Sequence, residues 1–286
     1  MNQFLKLDMY TRSLIVGSIL GDGEITKIYK NSRRKNHSYR EHFGVAQLKY
    51  REWKQHAVPQ LFYITIKTHT LRSRSLQLFT ELYPYFYNNA GKKQIPFELF
   101  PYCDLLTILA VLYMDDGSLC LSKRINTKQK SVCLSPHIAL YLQCYSYQEL
   151  VRFSNILYDQ LNLNLRLSKR KDGLGYILKS SKIDDTLNFL STISPVTKTC
   201  ESMRYKTDWE YRFSLEKNKY KIIDPEYVIV ASCSYRNKNY SNIEVERMIT
   251  LKQQKKTDQF IADAIGRSYW SVVYKLSELR KNGHLL

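Results

Sequence analysis

Two apolar runs with small residues inside them dominate the hydrophobic pattern. Leu14–Gly23 reads Leu-Ile-Val-Gly-Ser-Ile-Leu-Gly-Asp-Gly and Leu109–Gly117 reads Leu-Ala-Val-Leu-Tyr-Met-Asp-Asp-Gly. Each predicts a buried helix, the first running from about Thr11 to Gly21. Each closes on an acid followed by glycine, where glycine permits a left-handed cap and the carboxylate projects where the helix stops. Gly17 and Gly21, four apart on one face, would let a second helix approach closely, which must offset the roughly 1 kcal/mol that glycine costs inside a helix. An ordinary buried helix with a capping acid would explain either run alone. Two runs with matching flanks point to one design used twice, with Asp22 and Asp116 brought together at one end of a dry seam.

The polar and apolar positions between and after these runs repeat an order. Strand-like segments at 39–47 and 63–74 flank a helical stretch at 50–62, and an amphipathic helix at 76–87 leads to a connector ending at Pro96, a residue that cannot sit inside a helix. The second half begins with a basic hairpin after Gly117, then alternates from His137 to Cys144. A helix over 147–161 precedes a period-two stretch over 163–170, with Leu163, Leu165 and Leu167 inward and Asn164, Arg166, Ser168 and Arg170 outward. A strand near 176–180 and a helix over 184–190 follow. The reading is α+β: two pseudo-symmetric lobes, 1–96 and 97–206, each helix, two strands, helix, two strands, helix. Residues 207–241 lack strong periodicity and read as a linker. Residues 242–286 read as a small all-α domain, with helices at 244–255 and 257–264, a turn at 265–267, and Ser268 capping a third helix to about Arg280. Ile261, Ala264, Ile265, Val272, Val273, Leu276 and Leu279 make its core, and the turn resembles helix-turn-helix DNA-binding modules.

Charge narrows the partner. Over 286 residues there are 44 Lys and Arg against 26 Asp and Glu, a formal net charge of +18, which suits a polyanion, either nucleic acid or a membrane surface. No apolar stretch is long enough to span a bilayer, so nucleic acid is the better reading and no membrane is expected. The 6 cysteines form no Cys-x-x-Cys pair and read as reduced thiols, with neither zinc nor disulfides expected. The N-terminus opens no secretory signal. An intracellular protein is expected, in bacterial or phage cytoplasm or in an organelle matrix.

On these residues the chain resembles the LAGLIDADG homing endonucleases in their single-chain, two-motif form. Met114-Asp115-Asp116-Gly117, preceded by Leu106-Thr107, resembles the mitochondrial-intron branch, and the resemblance covers roughly residues 10 to 206. It implies sheets curved into a DNA-binding saddle. It also implies one carboxylate from each motif helix, Asp22 and Asp116, sharing two or three divalent ions, for which Mg2+ suits the hard oxygen donors. Gly21 and Asp115 stand beside them in the metal site, although Asp115 projects in another direction and reads as packing or hydrogen bonding at the seam. Lys93 and Lys206 correspond to active-site lysines that steady developing charge, and Gln47 and Gln143 to polar residues that position solvent. DNA contacts are expected from Arg40, Lys67, Arg72 and Arg74 in the first lobe and from Lys123, His137, Tyr141, Arg166, Ser168 and Arg170 in the second. In the tail they are expected from Tyr269, Trp270 and Lys275, with the two rings partly buried or pressed on the sugar-phosphate backbone. The implied activity is that of a monomeric endonuclease making a staggered double-strand break at a long asymmetric site. Two alternatives stand beside it: a non-catalytic transcription regulator joining a degenerate version of this fold to a helix-turn-helix, and a maturase acting on intron RNA. The chain ends, Met1 and His-Leu-Leu, speak against an intein.

Overall fold

The computed structural model describes residues 1–170, 172–232 and 240–285. It divides into two compact units, residues 1–234 and 235–286. In the larger unit the first lobe runs α1 (Asn2–Leu5), α2 (Met9–Leu20), β1 (Glu24–Ile25), β2 (Tyr39–His42), α3 (Leu48–Ala57), β3 (Phe62–Thr65), β4 (Thr70–Ser73) and α4 (Gln77–Phe86). The second runs α5 (Leu105–Asp116), β5 (Gly117–Asn126), β6 (Ser131–Leu140), α6 (Tyr147–Leu161), β7 (Arg166–Lys169), β8 (Tyr176–Lys179) and α7 (Ile183–Thr197). It ends with α8 (Arg204–Thr207), α9 (Trp209–Ile223) and β9 (Val228–Ala231). The smaller unit holds α10 (Asn242–Gln253), α11 (Asp258–Ile265) and α12 (Tyr269–Lys281).

Each lobe carries one antiparallel sheet, ordered β1-β2-β4-β3 in the first and β5-β6-β8-β7 in the second. The repeated order read from the pattern is therefore present. α2 and α5 are apolar on nearly every side because each packs against the other and against its own lobe. Residues 13–20 of α2 and 107–114 of α5 are all buried. Their N-termini are built alike: Asp8 accepts the Thr11 N–H and Asp104 accepts the N–H groups of Leu106 and Thr107, while the Thr11 and Thr107 hydroxyls each donate back at 2.6 Å. The Asp104 N–H donates to the Ser13 hydroxyl at 2.7 Å, tying one helix start to the other. The two N-caps, Asp8 and Asp104, each contribute about 1 kcal/mol.

Several boundaries move. The strand expected over 39–47 stops at His42, and Gln47 closes a 3-10 turn before α3. The single strand expected over 63–74 is a hairpin, β3 and β4, with His69 in the left-handed region at its turn; Lys67 lies in that turn and not in a strand. The inward set shifts from Phe62 and Ile64 in β3 to Leu71 and Ser73 in β4, a change of parity across the turn. Only Arg166–Lys169 of the 163–170 stretch pairs as a strand.

The largest difference lies in the expected linker. Residues 209–223 are a helix and 228–231 a strand that pairs in parallel with β6, Ser131 opposite Val228 through Leu134 opposite Ala231. Aromatic residues explain it: Trp209, Phe213, Tyr220 and Tyr227 pack on a second apolar cluster of Val132, Leu134 and Ile229. Phe213, Tyr220 and Tyr227 stand seven apart, but the positions three and four on from them include Glu216, Lys217 and Asp224, which break up an apolar stripe. Cys233 and the rest of the expected linker up to residue 239 lie outside the described residues. In the smaller unit the three helices form, around Met248, Ile261, Ala262, Val272 and Leu276, with Ile265 half-buried against them. Ala262 takes the buried place expected for Ala264. Ser268 stands at the N-cap position of α12 without a side-chain capping bond.

Candidate active site at the motif helix ends

Gly17 and Gly21 sit where α2 crosses α5. A Cβ on Gly17 would lie 2.9 Å from both the Ile108 carbonyl oxygen and Val111 Cβ, and one on Gly21 would lie 2.4 Å from Asp115 Oδ2. Only glycine permits this approach, and the approach is what brings the two helix ends together. Beyond the ends, the Asp22 N–H donates to Asp115 Oδ2 at 3.4 Å.

Two lysines secure the same ends in matching ways. Lys93 Nζ donates to the carbonyls of Gly21 and Gly23 at 2.8 and 3.1 Å, and Lys206 Nζ donates to those of Asp115 and Gly117 at 3.3 and 3.1 Å. They satisfy carbonyls that a helix C-terminus leaves without partners. Burial lowers the pKa of both, against the opposing pull of the nearby carboxylates. Asp116 is half-buried, and burial together with the charges of Asp115 and Asp22 pushes its pKa up to about 7. Asp22, Asp116, Lys93 and Lys206 are thus brought into one electrostatic neighbourhood.

The sequence reading missed what lies beneath. Arg51 and Lys54 of α3 and Glu41 of β2 have fully buried side chains. Arg51 Nη2 donates to Asp22 Oδ2 at 2.6 Å, and Lys54 Nζ donates to both oxygens of Asp115 at 2.9 Å and to Glu41 at 2.9 and 3.2 Å. Arg51 Nε lies 2.7 Å from Glu41 Oε1 without a well-aimed hydrogen, so that contact is ionic only. Tyr39 donates to Glu41 from the sheet side. Burial raises the Glu41 pKa while Lys54 opposes it. Burial alone would lower that of Arg51, but Glu41 and Asp115 raise it. The signal was present in α3 as Arg51 and Lys54 at i and i+3, one helical face, but a Lys/Arg pair on an amphipathic helix reads as solvated.

This network decides which acids suit a metal. Asp22, Glu41 and Asp115 offer oxygens within 4.8 Å of one another, yet Arg51 and Lys54 already neutralise that trio. Asp115 has both oxygens on Lys54, and Gly21 gives its carbonyl to Lys93. Asp116 has no cationic side chain within 4.0 Å among the described residues, and the Asp22 side chain, though paired with Arg51, remains 31 % exposed. Two hard oxygen donors, of which Asp116 has no ion-pair partner among the described residues, fit a divalent cation. No hydrogen bond joins Gln47 or Gln143 to the acids among the described residues. Gln143 is exposed in the loop after β6.

A cleft beside Asp22 is lined by Glu24, Arg40, His42, Tyr87 and Lys93. A larger cavity lies elsewhere, along α7 and α8, and is lined by none of these acids. Arg40 pairs with Glu24 at 2.5 Å and stands opposite Arg72 across β2 and β4, on the outer face of the first sheet; Arg74 is exposed just past β4. In the second sheet His137 stands opposite Cys120 and Ala139 opposite Lys179, itself opposite Arg166, with Tyr141 exposed just beyond β6. Ser168 stands opposite Ile177, and Arg170 pairs with Asp172 at 2.5 Å. Lys123 is a correction. It shares strand parity with the inward Leu119 and Leu121 and reaches Glu216 of α9 at 2.9 Å, so Arg124, not Lys123, stands on the outer face. In α12 Tyr269 is 40 % and Trp270 64 % exposed, and the two cluster with Tyr274. Lys275 is tied to Glu278 at 2.7 Å.

Residues 12–184 match the model of the LAGLIDADG DNA endonuclease family. The chain belongs to that family. Its enzymatic class is therefore DNA endonuclease. Among solved structures, the LAGLIDADG-type fold is shared with the homing endonuclease I-WcaI bound to its DNA recognition sequence, at a TM-score of 0.54 and 21% identity over 72% of this chain and 91% of that one. I-SmaMI bound to uncleaved DNA target in the presence of calcium ions gives a TM-score of 0.50 and 13% identity over 77% and 95%. No curated protein matches the LAGLIDADG chain described here. No helix among the described residues is long and apolar enough to cross a membrane.

Proposed function

We propose that this LAGLIDADG protein is a homing endonuclease that makes a staggered double-strand break at one long DNA site, using divalent metal held between Asp22 and Asp116. The observation that carries the reading is the close crossing of α2 and α5 at Gly17 and Gly21, which sets one acid of each lobe at a shared end. A pure DNA-binding protein gains nothing from an uncompensated carboxylate facing phosphate, which argues against the regulator.

A bound divalent cation, of which Mg2+ is the natural choice for two carboxylates and phosphate oxygens, would supply an activated water and a counter-charge for the leaving oxygen. The protein's own part is positioning. Arg51 holds Asp22, Lys54 holds Asp115 away from the shared face, and Lys93 and Lys206 fix the helix-end carbonyls while placing two ammonium groups near the phosphates. Two lobes carrying separate sheets suit an asymmetric target, and the basic excess suits its backbone. α10–α12 would act as a tethered second DNA-binding unit, adding affinity through effective concentration and not chemistry. The test is incubation with a plasmid library carrying randomised sites. Linear products with one recurrent sequence, formed with Mg2+ and abolished by chelation, are expected. Cleavage that ignores sequence, or persists in chelator, would refute the reading.

A further inference from the structure

The α9–β9 segment lies beyond the family match, which ends at residue 184, and it changes the second sheet. β8 pairs with β6 only at Ala139 and Leu140, whereas β9 pairs at Ser131–Leu134, further out along the same strand. At about 3.4 Å per residue this places β9 roughly 17–27 Å beyond the β8 pairing. The segment is docked firmly. Ile229 is buried with Val132 and Leu134, Lys123 meets Glu216 at 2.9 Å, and Lys130 meets Asp224 at 3.0 Å.

Docking needs only one side of β9. Val228 and Val230 point the other way, on the side of Ser131 and Cys133, and remain 57 % and 46 % exposed. Cys133 also stands opposite Arg124 of β5, so one cross-strand row reads Arg124, Cys133, Val230. Arg124 is exposed and has no acidic partner within 4.0 Å among the described residues. The same outer side continues inward through His137 to Ala139, Lys179 and Arg166. A row that joins a free guanidinium to exposed branched alkyl groups matches the edge of a base pair in the major groove, where guanine offers two acceptors and thymine offers a methyl group.

We propose that β9 is a fifth DNA-reading strand of the second lobe, with Val228 and Val230 receiving thymine methyl groups at the outer flank of that lobe's half-site. The proposal rests on the endonuclease reading above and adds the bases read at one end. The positions concerned lie roughly five to eight base pairs outside those facing Ala139 and Lys179, taking about 3.4 Å per base pair.

The experiment selects bound duplexes from a library randomised over that flank, using the full chain. The wild type should enrich thymine at one or two flank positions. Replacing those thymines by uracil, which removes only the methyl, should weaken binding roughly four-fold per methyl. The double variant Val228→Ser, Val230→Ser removes every γ-methyl on that side and leaves the buried Ile229 that docks the strand, with folding checked by calorimetry. It should lose both the enrichment and the uracil penalty, while cleavage of the central base pairs persists. No thymine preference in the wild type, or a preference and uracil penalty that survive in a folded Ser variant, would overturn the proposal. Cleavage of the same duplexes by the wild type reports separately on the endonuclease reading.

Discussion

Arg51 Nη2 lies 2.6 Å from Asp22 Oδ2, whereas Asp116 has no cation within 4.0 Å among the described residues. The two acids that end the motif helices are therefore equivalent in sequence and unequal in charge environment. Asp22 is partly neutralised from below, and Asp116 is the group that feels the whole acidic crowd, its pKa pushed up to about 7 by burial, Asp115 and Asp22.

Asp22→Asn and Asp116→Asn should each abolish double-strand cleavage, by at least about a hundred-fold, while DNA affinity stays the same or rises as a negative charge is lost. The two should differ without metal. Asp116→Asn removes the uncompensated charge and should raise the melting temperature, while Asp22→Asn strips a partner from buried Arg51 and should not. Plasmid cleavage, gel-shift titration and calorimetry check the three parts. Undiminished cutting by either variant removes that acid from the site.

Lys54 holds both Glu41 and Asp115 at 2.9 Å, whereas Arg51 lies 2.7 Å from Glu41 but 3.8 Å from Asp115. Lys54→Met leaves two buried carboxylates served by Arg51 alone, and breaking a buried pair in this way costs about 3–5 kcal/mol. The melting temperature should fall by roughly 10 °C. Glu41→Gln with Lys54→Met should recover part of that loss, because the orphaned charge is gone. A Lys54→Met protein as stable as the wild type would mean water already compensates this cluster.

The motif helices, their glycine crossing, and the repeated order of elements were legible because they rest on local signals: continuous apolar runs, Asp-Gly ends and period-two strands. The buried Arg51–Glu41–Lys54–Asp115 network was not. Its members come from three elements, and a charged residue announces nothing in sequence about whether a partner will bury it. β9 escaped for a related reason. Its pairing partner, residues 131–134, sits about a hundred positions earlier, and Trp209, Phe213 and Tyr220 mark a packing face only once that surface exists. Lys123 shows how narrow the margin is: one residue of parity separates the outer Arg124 from a lysine consumed by Glu216.

The seam itself is testable at Gly17. A Cβ there would lie 2.9 Å from the Ile108 carbonyl oxygen, a backbone atom that cannot turn aside, and from Val111 Cβ. Gly17→Ala gains helix propensity of about 1 kcal/mol but forces α2 and α5 apart, an overpacking cost of about 1–3 kcal/mol. The stability change should be small and destabilising. Cleavage should suffer more, by about ten-fold or greater, because the acids separate with the helices. A variant with lower stability and full activity would show that the helix ends tolerate displacement.

In the smaller unit the test is acid. Glu244 accepts from Arg267 at 2.7 and 2.9 Å and from the Ser241 N–H at 2.8 Å, and these partners, Arg267 first, lower its pKa from the usual carboxylate range to about 2. A carboxylate with a depressed folded-state pKa contributes stability that is present above its unfolded value of about 4.3 and is lost as pH falls through the folded value. Protection of the α10 amides from hydrogen exchange should therefore weaken between about pH 4.5 and pH 2. Glu244→Gln keeps the cap to Ser241 but not the charge on Arg267, so it should reduce protection at pH 6 and flatten the dependence below it. At pH 2 the variant and the wild type should converge. Equal protection at pH 6 would show that this surface pair adds nothing to the fold of α10–α12, and that its apolar core around Met248, Ile261, Val272 and Leu276 holds the three helices unaided.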